Sequence, residues 1–435
     1  MIDLKYTTEF EEKLIAYRRD FHKYPEPAWL EYRTTVKIIE ALEGMGLNPK
    51  WGRCLHTPDL MMGKPDAKKE AACRERAIAE TGRADLITEM SGGFTGVVVE
   101  IQGELPGPTI AVRVDIDSND LNESADSDHR PAREGFASVH SGAMHGCGHD
   151  GHTSIGLGTV ELILANRDIL KGKVIIIFQP AEEGGRGACS LVGSGLFEGV
   201  DYFFGGHIAS SSLGTVSAST YGFLSGVKFD TKFKGFAVHA GGHPELGHNA
   251  LAAASNAILN MLAIPRTSKG SSRINIGKIY GGTGRNVIPD EVLLWAEVRG
   301  SNSEVSEYMF ENAMRVCKAA ADMYQCEVSH EITGKSENAV CDMDFASQIA
   351  SSAKTVDGIE TVLPEMNIGG GENITFMMND VKRRGGKTSF LLIGGDITAP
   401  HHTRKFDFDE KVLPLAARLY AKIIFDLCEL WKSEG

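Results

Sequence analysis

Four short runs of apolar residues stand out along this chain, and each has the length and composition of a buried strand. They are Thr109–Val114, Lys173–Phe178, Val200–Phe204 and Ser389–Ile393. Segments of helical character lie beside or between them, at Glu11–Met45, His152–Ile169, Gly187–Gly195 and Phe408–Trp431. Strands that alternate with helices predict an α/β fold, in which a mostly parallel sheet is flanked by helices.

The pattern changes between residues 217 and 335, where apolar and polar positions alternate as in a strand with one face in water. The elements predicted there are a strand around Val227–Phe233, a helix, two strands, a second helix and a last strand, at Asn249–Leu262, Arg273–Tyr280, Val292–Val298, Glu304–Tyr324 and Cys326–Ile332. This β-α-β-β-α-β order predicts a ferredoxin-like α+β domain. We expect residues 217–335 to be inserted into a larger domain made of residues 1–216 and 336–435.

The length of the chain agrees with two domains, because 435 residues exceed the roughly 250–300 residues at which a single core stops growing. Within the larger domain, residues 51–93 predict a helical insertion. Its central part, Lys64–Thr81, is charged and helix-prone and is bounded by proline and glycine.

Composition argues against several classes of protein. The net charge is −13, from 45 basic and 58 acidic residues, and no basic tract stands out, so we expect no nucleic-acid partner. The eight cysteines form no CxxC pair, which favours reduced thiols in the cytoplasm. Residues 1–14 lack the apolar run of a signal peptide. The most apolar long stretch, Ala250–Ile264, is too short and too polar to span a bilayer, so we expect no membrane partner.

Polar side chains gather where the predicted strands end. They are Asp115 and Asp117 after the first strand, Glu182 and Glu183 after the second, His207 after the third, and His401 and His402 after the fourth. Sites in open parallel sheets form beyond the carboxyl ends of the strands, so we expect these residues at one rim. The stretch His145–His152, which reads HGCGHDGH, adds three imidazoles, a thiol and a carboxylate beside a predicted helix.

Each signal has a simpler interpretation when it is taken alone. Cys147 also fits a small buried apolar residue, and Glu182 with Glu183 fits a solvated helix start. The aspartates fit helix caps, and His401 with His402 fits a polar loop. Their joint occurrence at four strand ends favours a metal site.

The set is chemically coherent as a metal centre. One cysteine, three histidines and one glutamate supply five ligands, which is more than one catalytic ion usually takes and suits two ions held close together. Of two adjacent glutamates, one can bind metal while the other serves as general base. A competing hypothesis makes Cys147 a redox or nucleophilic thiol. That hypothesis predicts inactivation by alkylation of metal-saturated protein and no effect of chelators.

At these residues the chain resembles the co-catalytic metallopeptidases of the aminoacylase/carboxypeptidase clan, specifically the branch of hippurate, N-acyl amino acid and auxin-conjugate hydrolases. The matching motifs are Arg113–Asp117, Met144–His152, Phe178–Gly184, Gly206-His207 and His402–Asp409. Within the branch, the 51–93 insertion, Ser91–Gly96 and His129–Ser138 are most similar to the p-aminobenzoyl-glutamate hydrolases.

The resemblance implies a zinc-peptidase-like catalytic domain that binds two divalent ions, Zn²⁺ or Mn²⁺. Carried over by motif, the ligands are Cys147 as the bridge, His149, Glu183, His207 and His402. Glu182 is then the general base, and Asp117 is a catalytic acidic residue behind the ligands. Relatives usually have Glu-Asp where this chain has Glu372-Asn373. His401 adjoins His402, and the offset to Phe406 favours His402 as the ligand.

The same resemblance implies that residues 217–335 are a lid and dimerisation domain. In it, His239 resembles a histidine that stabilises the oxyanion, and Arg285 with Asn286 matches the region that binds the substrate carboxylate. A structural imidazole and an ordinary turn cation are the alternative interpretations of His239 and Arg285.

The function implied is hydrolysis of the amide bond of an aromatic N-acyl amino acid, with p-aminobenzoyl-glutamate as the expected small-molecule substrate. The alternatives are hippurate-like, auxin-conjugate or N-acetyl substrates, or a non-catalytic binding subunit that keeps the fold. The expected protein partner is a second copy of the chain through the lid, a homologous B subunit, or both.

Overall fold

The computed structural model describes Leu4 and residues 7–431, so parts of the N-terminal segment discussed above lie outside the described residues. The strands, in chain order, are β1 Lys50–Trp51, β2 Val97–Gln102, β3 Leu105–Asp115, β4 Lys171–Gln179, β5 Tyr202–Ala209, β6 Thr215–Ser217, β7 Thr220–Tyr221, β8 Ser225–Lys234, β9 Ser272–Gly281, β10 Glu291–Gly300, β11 Glu327–Ser336, β12 Thr361–Leu363, β13 Met366–Asn367 and β14 Lys387–Gly394. The α-helices are α1 Thr8–Lys23, α2 Tyr32–Gly44, α3 Ala67–Thr81, α4 Ala84–Glu89, α5 Arg130–Glu134, α6 His149–Ala165, α7 Ala188–Gly193, α8 Ala250–Leu262, α9 Ser303–Met323, α10 Met343–Ala353, α11 Ile374–Arg383 and α12 Val412–Leu430.

The chain forms two compact units. The first comprises Met1–Tyr221, Ala339–Ile368 and Phe376–Gly435, and the second comprises Gly222–Asn338 and Gly369–Thr375. The boundaries predicted from sequence, at residues 217 and 335, lie a few residues earlier, and the prediction assigned 369–375 to the larger domain. That short segment joins the second unit, where the Leu224 N–H donates a hydrogen bond to the Gly370 carbonyl at 2.8 Å.

An eight-stranded sheet, built from described residues of the first unit, has the order β1-β2-β4-β3-β5-β14-β6-β12. Its central strands β4, β3, β5 and β14 run parallel, while β2 pairs antiparallel with β4 and β6 pairs antiparallel with β14. Helices α1, α6 and α12 pack together beside it. The prediction of an α/β fold with a mostly parallel sheet is confirmed.

The register of the central strands brings their carboxyl ends to one edge. Asp115 pairs with Gln179 at the ends of β3 and β4, and Ile208 pairs with Ile393 near the ends of β5 and β14. His207 therefore lies inside β5, not after a strand that ends at Phe204 as predicted. Glycines weaken the local strand signal after Phe204, but pairing with β14 continues the strand through both of them.

The segment Glu11–Met45, interpreted from sequence as one helical stretch, is two helices. Helix α1 ends at Lys23 and α2 begins at Tyr32, and the connection contains two prolines. Proline removes a backbone donor and disfavours helical geometry in the preceding residue. The connection brings Glu26 and Glu31 into the protein interior, where both are fully buried.

The second unit has the predicted β-α-β-β-α-β order. Its antiparallel sheet has the strand order β11-β8-β10-β9, and α8 and α9 pack on it around a core that includes Phe229 and Phe233. Asn249 caps α8 by accepting the Ala252 N–H at 3.0 Å. The ferredoxin-like prediction is confirmed.

The insertion at residues 51–93 is helical, as α3 and α4. Asp66 caps α3 through the N–H groups of Lys68 and Lys69, and Gly82 ends it with φ at 72°. Because glycine adopts this left-handed conformation at no steric cost, the predicted boundary at Gly82 has a direct physical basis.

Candidate metal centre

The loop that carries Cys147 leads directly into α6. Gly148 has φ at 95°, which glycine adopts readily and other residues do not. The helix begins at His149, whose Nδ1 lies 2.9 Å from the Asp117 carbonyl oxygen. A carbonyl oxygen only accepts, so Nδ1 carries the proton and Nε2 keeps its lone pair.

His207 approaches Cys147 from strand β5. Its Nδ1 lies 2.7 Å from the Ile208 carbonyl oxygen, and its Nε2 lies 3.3 Å from Cys147 Sγ. As with His149, the backbone carbonyl fixes the tautomer and leaves the Nε2 lone pair toward the thiol.

His402 reaches the same thiol from the loop after β14. Its Nε2 lies 3.3 Å from Cys147 Sγ and 3.3 Å from Glu183 Oε1. The residue has φ at 62°, and its N–H donates to the Gly146 carbonyl at 2.7 Å. The two loops are thus joined by a backbone hydrogen bond beside the cluster.

Two donor groups share Cys147. Among the described residues, the ligand atoms of Cys147, His149 and His207 lie within 4.8 Å of one another, and so do those of Cys147, Glu183 and His402. One thiol, three imidazoles and a carboxylate suit borderline-soft divalent ions. The residues present therefore fit two divalent metal ions with Cys147 common to both.

Glu182 lies beside this cluster without belonging to either donor group. Its carboxylate is within 4.8 Å of the ligand atoms of His149 and Glu183, so these three residues form a further group that could hold an ion without Cys147. Burial and the charge of Glu183 raise the pKa of Glu182 to about 7. Burial alone would raise the pKa of Glu183, but His402 and His149 lower it to about 2.

Asp117 holds the backbone of both glutamates. Its Oδ1 accepts the Glu182 N–H at 3.0 Å and its Oδ2 accepts the Glu183 N–H at 2.9 Å. Because its own carbonyl receives His149 Nδ1, this one buried residue orients a histidine and the glutamate pair.

Asp115 is a second buried acid behind the ligands, which the sequence indicated only as part of the Asp-x-Asp pair. Burial opposes its ionisation, but the Arg113 guanidinium at 2.6 Å and His149 hold the pKa of Asp115 well below its usual range. Asp115 Oδ1 lies 2.5 Å from His152 Nδ1, and His152 Nε2 accepts the Ile208 N–H at 2.9 Å. Both ring nitrogens of His152 are thus engaged within the protein.

Residues 111–426 match the model of Peptidase family M20/M25/M40. The chain belongs to this family. It is 40% identical over 419 residues to indole-3-acetyl-aspartic acid hydrolase from Enterobacter agglomerans, with 96% of each chain covered. It is also 40% identical over 420 residues to one of the subunits of p-aminobenzoyl-glutamate hydrolase from Escherichia coli (strain K12), again over 96% of each.

Solved structures agree with this assignment. The aminobenzoyl-glutamate utilization protein from Klebsiella pneumoniae is similar with a TM-score of 0.82, at 34% identity and 96% coverage of each chain. A dinuclear metal binding peptidase of the M20 family from Bacillus subtilis has a TM-score of 0.68 at 26% identity, over 98% of this chain and 100% of that one. The resemblance drawn from the motifs is confirmed, and the chain is an M20 hydrolase.

In this M20 hydrolase, His401 and His402 point to different partners. His401 Nε2 lies 3.0 Å from the Ile208 carbonyl oxygen, and its ring lies 4.9 Å from that of Phe406. Neither donor group that contains Cys147 includes His401.

A buried charge network behind the metal loop was missed at the sequence level. Asp150 lies 2.8 Å from Arg18 Nε and 2.8 Å from His22 Nδ1, and Arg18 also reaches Asp407 at 2.7 Å. The available signal was the spacing of Arg18 and His22, four residues apart on one face of α1. The network ties α1 to the metal loop and to the segment that follows His402.

The remaining predicted site residues lie in the second unit. The Ala240 N–H donates to the Asn286 carbonyl at 2.9 Å, and His239 pairs with Val287 in a β-bridge. His239, Arg285 and Asn286 therefore lie on adjacent segments, with their side chains exposed. Asn373 is buried in the same unit.

Proposed function

We propose that this M20 hydrolase cleaves the amide bond between an aromatic acyl group and an acidic amino acid, with p-aminobenzoyl-glutamate as the leading substrate. The observation that carries the proposal is the pair of donor groups that share Cys147, with Glu182 beside them. Cys147, His149, Glu183, His207 and His402 would hold two divalent ions.

The substrate class is supported by the names of two relatives at equal identity. One is an indole-3-acetyl-aspartic acid hydrolase and the other belongs to a p-aminobenzoyl-glutamate hydrolase. Both names join an aromatic acyl group to an amino acid with a carboxylate side chain. The first relative makes indole-3-acetyl-aspartate the second candidate substrate.

Two divalent ions held by these residues would supply Lewis acidity, which would lower the pKa of water and polarise an amide carbonyl. Glu182 takes the proton of the attacking water and returns it to the departing amine. We choose Glu182 because it is adjacent to Glu183 but absent from both groups that contain Cys147. Asp117 keeps Glu182 in place through its N–H. On the basis of the motif resemblance alone, we also propose that His239 stabilises the developing oxyanion and that Arg285 with Asn286 binds the substrate carboxylate.

We propose Zn²⁺ or Mn²⁺ as the metals, because the family resemblance implies either ion. The thiol and the three imidazoles suit Zn²⁺ in particular. The first unit is then the catalytic domain and the second the lid. Each helix among the described residues is too short or too polar to span a bilayer. None of the eight cysteines, all of which are described, forms a disulfide, which supports a cytoplasmic location.

For the oligomer, we propose pairing through the second unit, with another copy of the chain or with a homologous B subunit. Strand β9 is an edge strand of its sheet, and Leu259 and Leu262 of α8 are 70% and 51% exposed. Exposed edges and apolar side chains are typical of interfaces. Light scattering of the purified chain should give a dimer, and Leu259→Glu should shift it to monomer. A monomeric wild-type chain would rule out self-pairing, and a homologous B subunit would then be the proposed partner.

The substrate proposal is tested with the full chain reconstituted with Mn²⁺ or Zn²⁺. The panel comprises p-aminobenzoyl-glutamate, indole-3-acetyl-aspartate, hippurate and N-acetyl-glutamate. We expect the highest kcat/KM for one of the first two compounds. A preference for N-acetyl-glutamate or hippurate would overturn the substrate class, and no turnover of any compound would favour a non-catalytic binding subunit.

A further inference from the structure

Three consecutive backbone N–H groups, from Ala181 to Glu183, each donate to a buried carboxylate. Asp117 accepts the last two. The first, from Ala181, donates to Glu31 Oε1 at 2.8 Å. Glu31 comes from the connection between α1 and α2, 150 residues away in sequence. We propose that Glu31 is a positioning residue, which holds Ala181 so that Glu182 and Glu183 keep their places at the metal centre.

Ala181 needs such support because its backbone is in a conformation that alanine avoids. Its φ is 53°, in the left-handed region, and a non-glycine residue persists there only when its surroundings hold it. Two contacts do so. Its side chain packs in a small apolar cluster with Ala28, Trp29, Met61 and Phe94, and its N–H is held by Glu31.

The setting of Glu31 favours a functional role over a contribution to folding. The side chain is fully buried, and its other oxygen accepts the Thr95 hydroxyl at 2.7 Å. These partners are a hydroxyl and a backbone N–H rather than a cation. A buried carboxylate with neutral partners costs stability relative to an apolar side chain of similar volume. What Glu31 supplies in return is the fixed position of the turn that carries Glu182.

Glu26 provides a matched control on the same connection. It is equally buried and accepts the N–H groups of Arg33 and Thr34 at 3.1 and 2.8 Å, together with the Thr34 hydroxyl at 3.0 Å. Those donors lie in the first turn of α2. Glu26 therefore caps a helix, whereas Glu31 contacts the glutamate turn.

Three variants of the full chain test the proposal: Glu31→Met, Glu31→Gln and Glu26→Met. Methionine fills the volume of Glu31 without an acceptor. Glutamine restores the bonds, because its oxygen can accept the Ala181 N–H while its amide donates to Thr95 Oγ1. Outer-shell partners of metal ligands are worth about 10- to 100-fold in affinity or activity. We expect Glu31→Met to fold and to lower kcat at saturating metal about 10- to 100-fold with little change in KM. We also expect weaker binding, in chelator competition, of the second ion, which is the one assigned to Cys147, Glu183 and His402.

Glu31→Gln should recover most of both losses, whereas Glu26→Met should lower the Tm and leave kcat and metal binding unchanged. The proposal is overturned if Glu31→Met keeps wild-type kcat, if it fails to fold, if glutamine does not rescue it, or if Glu26→Met loses kcat equally. The kcat readout rests on the proposed function. If wild type hydrolyses none of the panel substrates, that function fails, and the affinity for the second ion decides the role of Glu31 alone.

Discussion

The thiol of Cys147 lies 3.3 Å from Nε2 of His207, although 60 residues separate the two in sequence. One residue comes from a glycine-rich loop at the start of α6 and the other from inside a central strand of the sheet. Their meeting defines one donor group, and His402 with Glu183 completes a second group around the same thiol. Both donor groups therefore depend on Cys147.

Replacement of Cys147 by alanine should remove the common ligand of both groups. We expect the bound metal to fall from two ions to one or none per chain, with a large loss of hydrolysis, as measured by elemental analysis and kcat. Cys54→Ala is the control, because Cys54 is exposed and outside both groups. Two tightly bound ions and intact turnover in Cys147→Ala would contradict the shared-ligand assignment. Inactivation by alkylation but not by chelators would instead support the nucleophilic-thiol hypothesis.

The adjacent histidines His401 and His402 should respond differently to substitution. His402 contacts Cys147 and Glu183, so His402→Ala should lower the affinity for one of the two ions. Chelator competition measures this affinity. His401 contacts a backbone carbonyl, so His401→Ala should retain both ions. If His401→Ala loses metal and His402→Ala does not, the two assignments are reversed.

Substitutions of Glu182 and of Glu183 should have different effects on catalysis and on metal binding. Glu182→Gln preserves the shape of the side chain but removes the base, and general base catalysis is worth roughly 100- to 10,000-fold. We expect that loss in kcat with two ions still bound. Glu183→Gln should reduce the metal content as well. Substantial turnover by metal-loaded Glu182→Gln would rule out Glu182 as the base.

His22 should make the stability of the protein pH-dependent. Burial and Arg18 lower its pKa, but the hydrogen bonds to Asp150 and Glu123, both 2.8 Å long, outweigh them and raise the pKa of His22 to about 9. The pKa in the folded protein then exceeds the ordinary value of 6.5. The stabilisation is therefore complete below pH 6.5 and is lost as the pH rises through 9.

The rise in the pKa of His22 corresponds to a stabilisation of about 3 kcal/mol, since each pKa unit is worth about 1.36 kcal/mol. The measurement is the free energy of unfolding of wild type and of His22→Gln in urea between about pH 6 and about pH 10, a range that spans the reference pKa of histidine. We expect the difference between them to shrink as the pH rises. A difference that stays constant or grows would show that His22 is neutral in the folded protein.

Much of the fold was predictable because the local patterns agree with the tertiary structure. The buried runs around Val112 and Ile176 became β3 and β4, since a strand covered on both faces needs a continuous apolar run. The alternation from Val227 to Phe233 became β8 in a sheet with one packed face. One error came where a neighbour overrides local preference, since β14 extends β5 through two glycines to His207. The break between α1 and α2, in contrast, was marked locally by two prolines.

The candidate site was only partly predictable. Strand ends and the HGCGHDGH motif indicated which residues carry metal-binding chemistry. They gave no indication that Arg18 and His22 lie behind Asp150, or that Glu31 holds Ala181. Contacts of this kind join residues more than one hundred positions apart, and no short-range period encodes them.

The fold class, the family and the types of ligand followed from sequence alone, because periodicity, motif spacing and side-chain chemistry are local properties. Which atoms meet depended on the tertiary structure. Backbone carbonyls orient His149 and His207 toward Cys147, and a positive φ at His402 accompanies its approach to the same thiol while His401 bonds to the backbone. These contacts depend on how loops from separate strands pack. A metal centre requires donor atoms within a few ångströms of one another, and the order of residues along a chain does not specify the distances between distant loops.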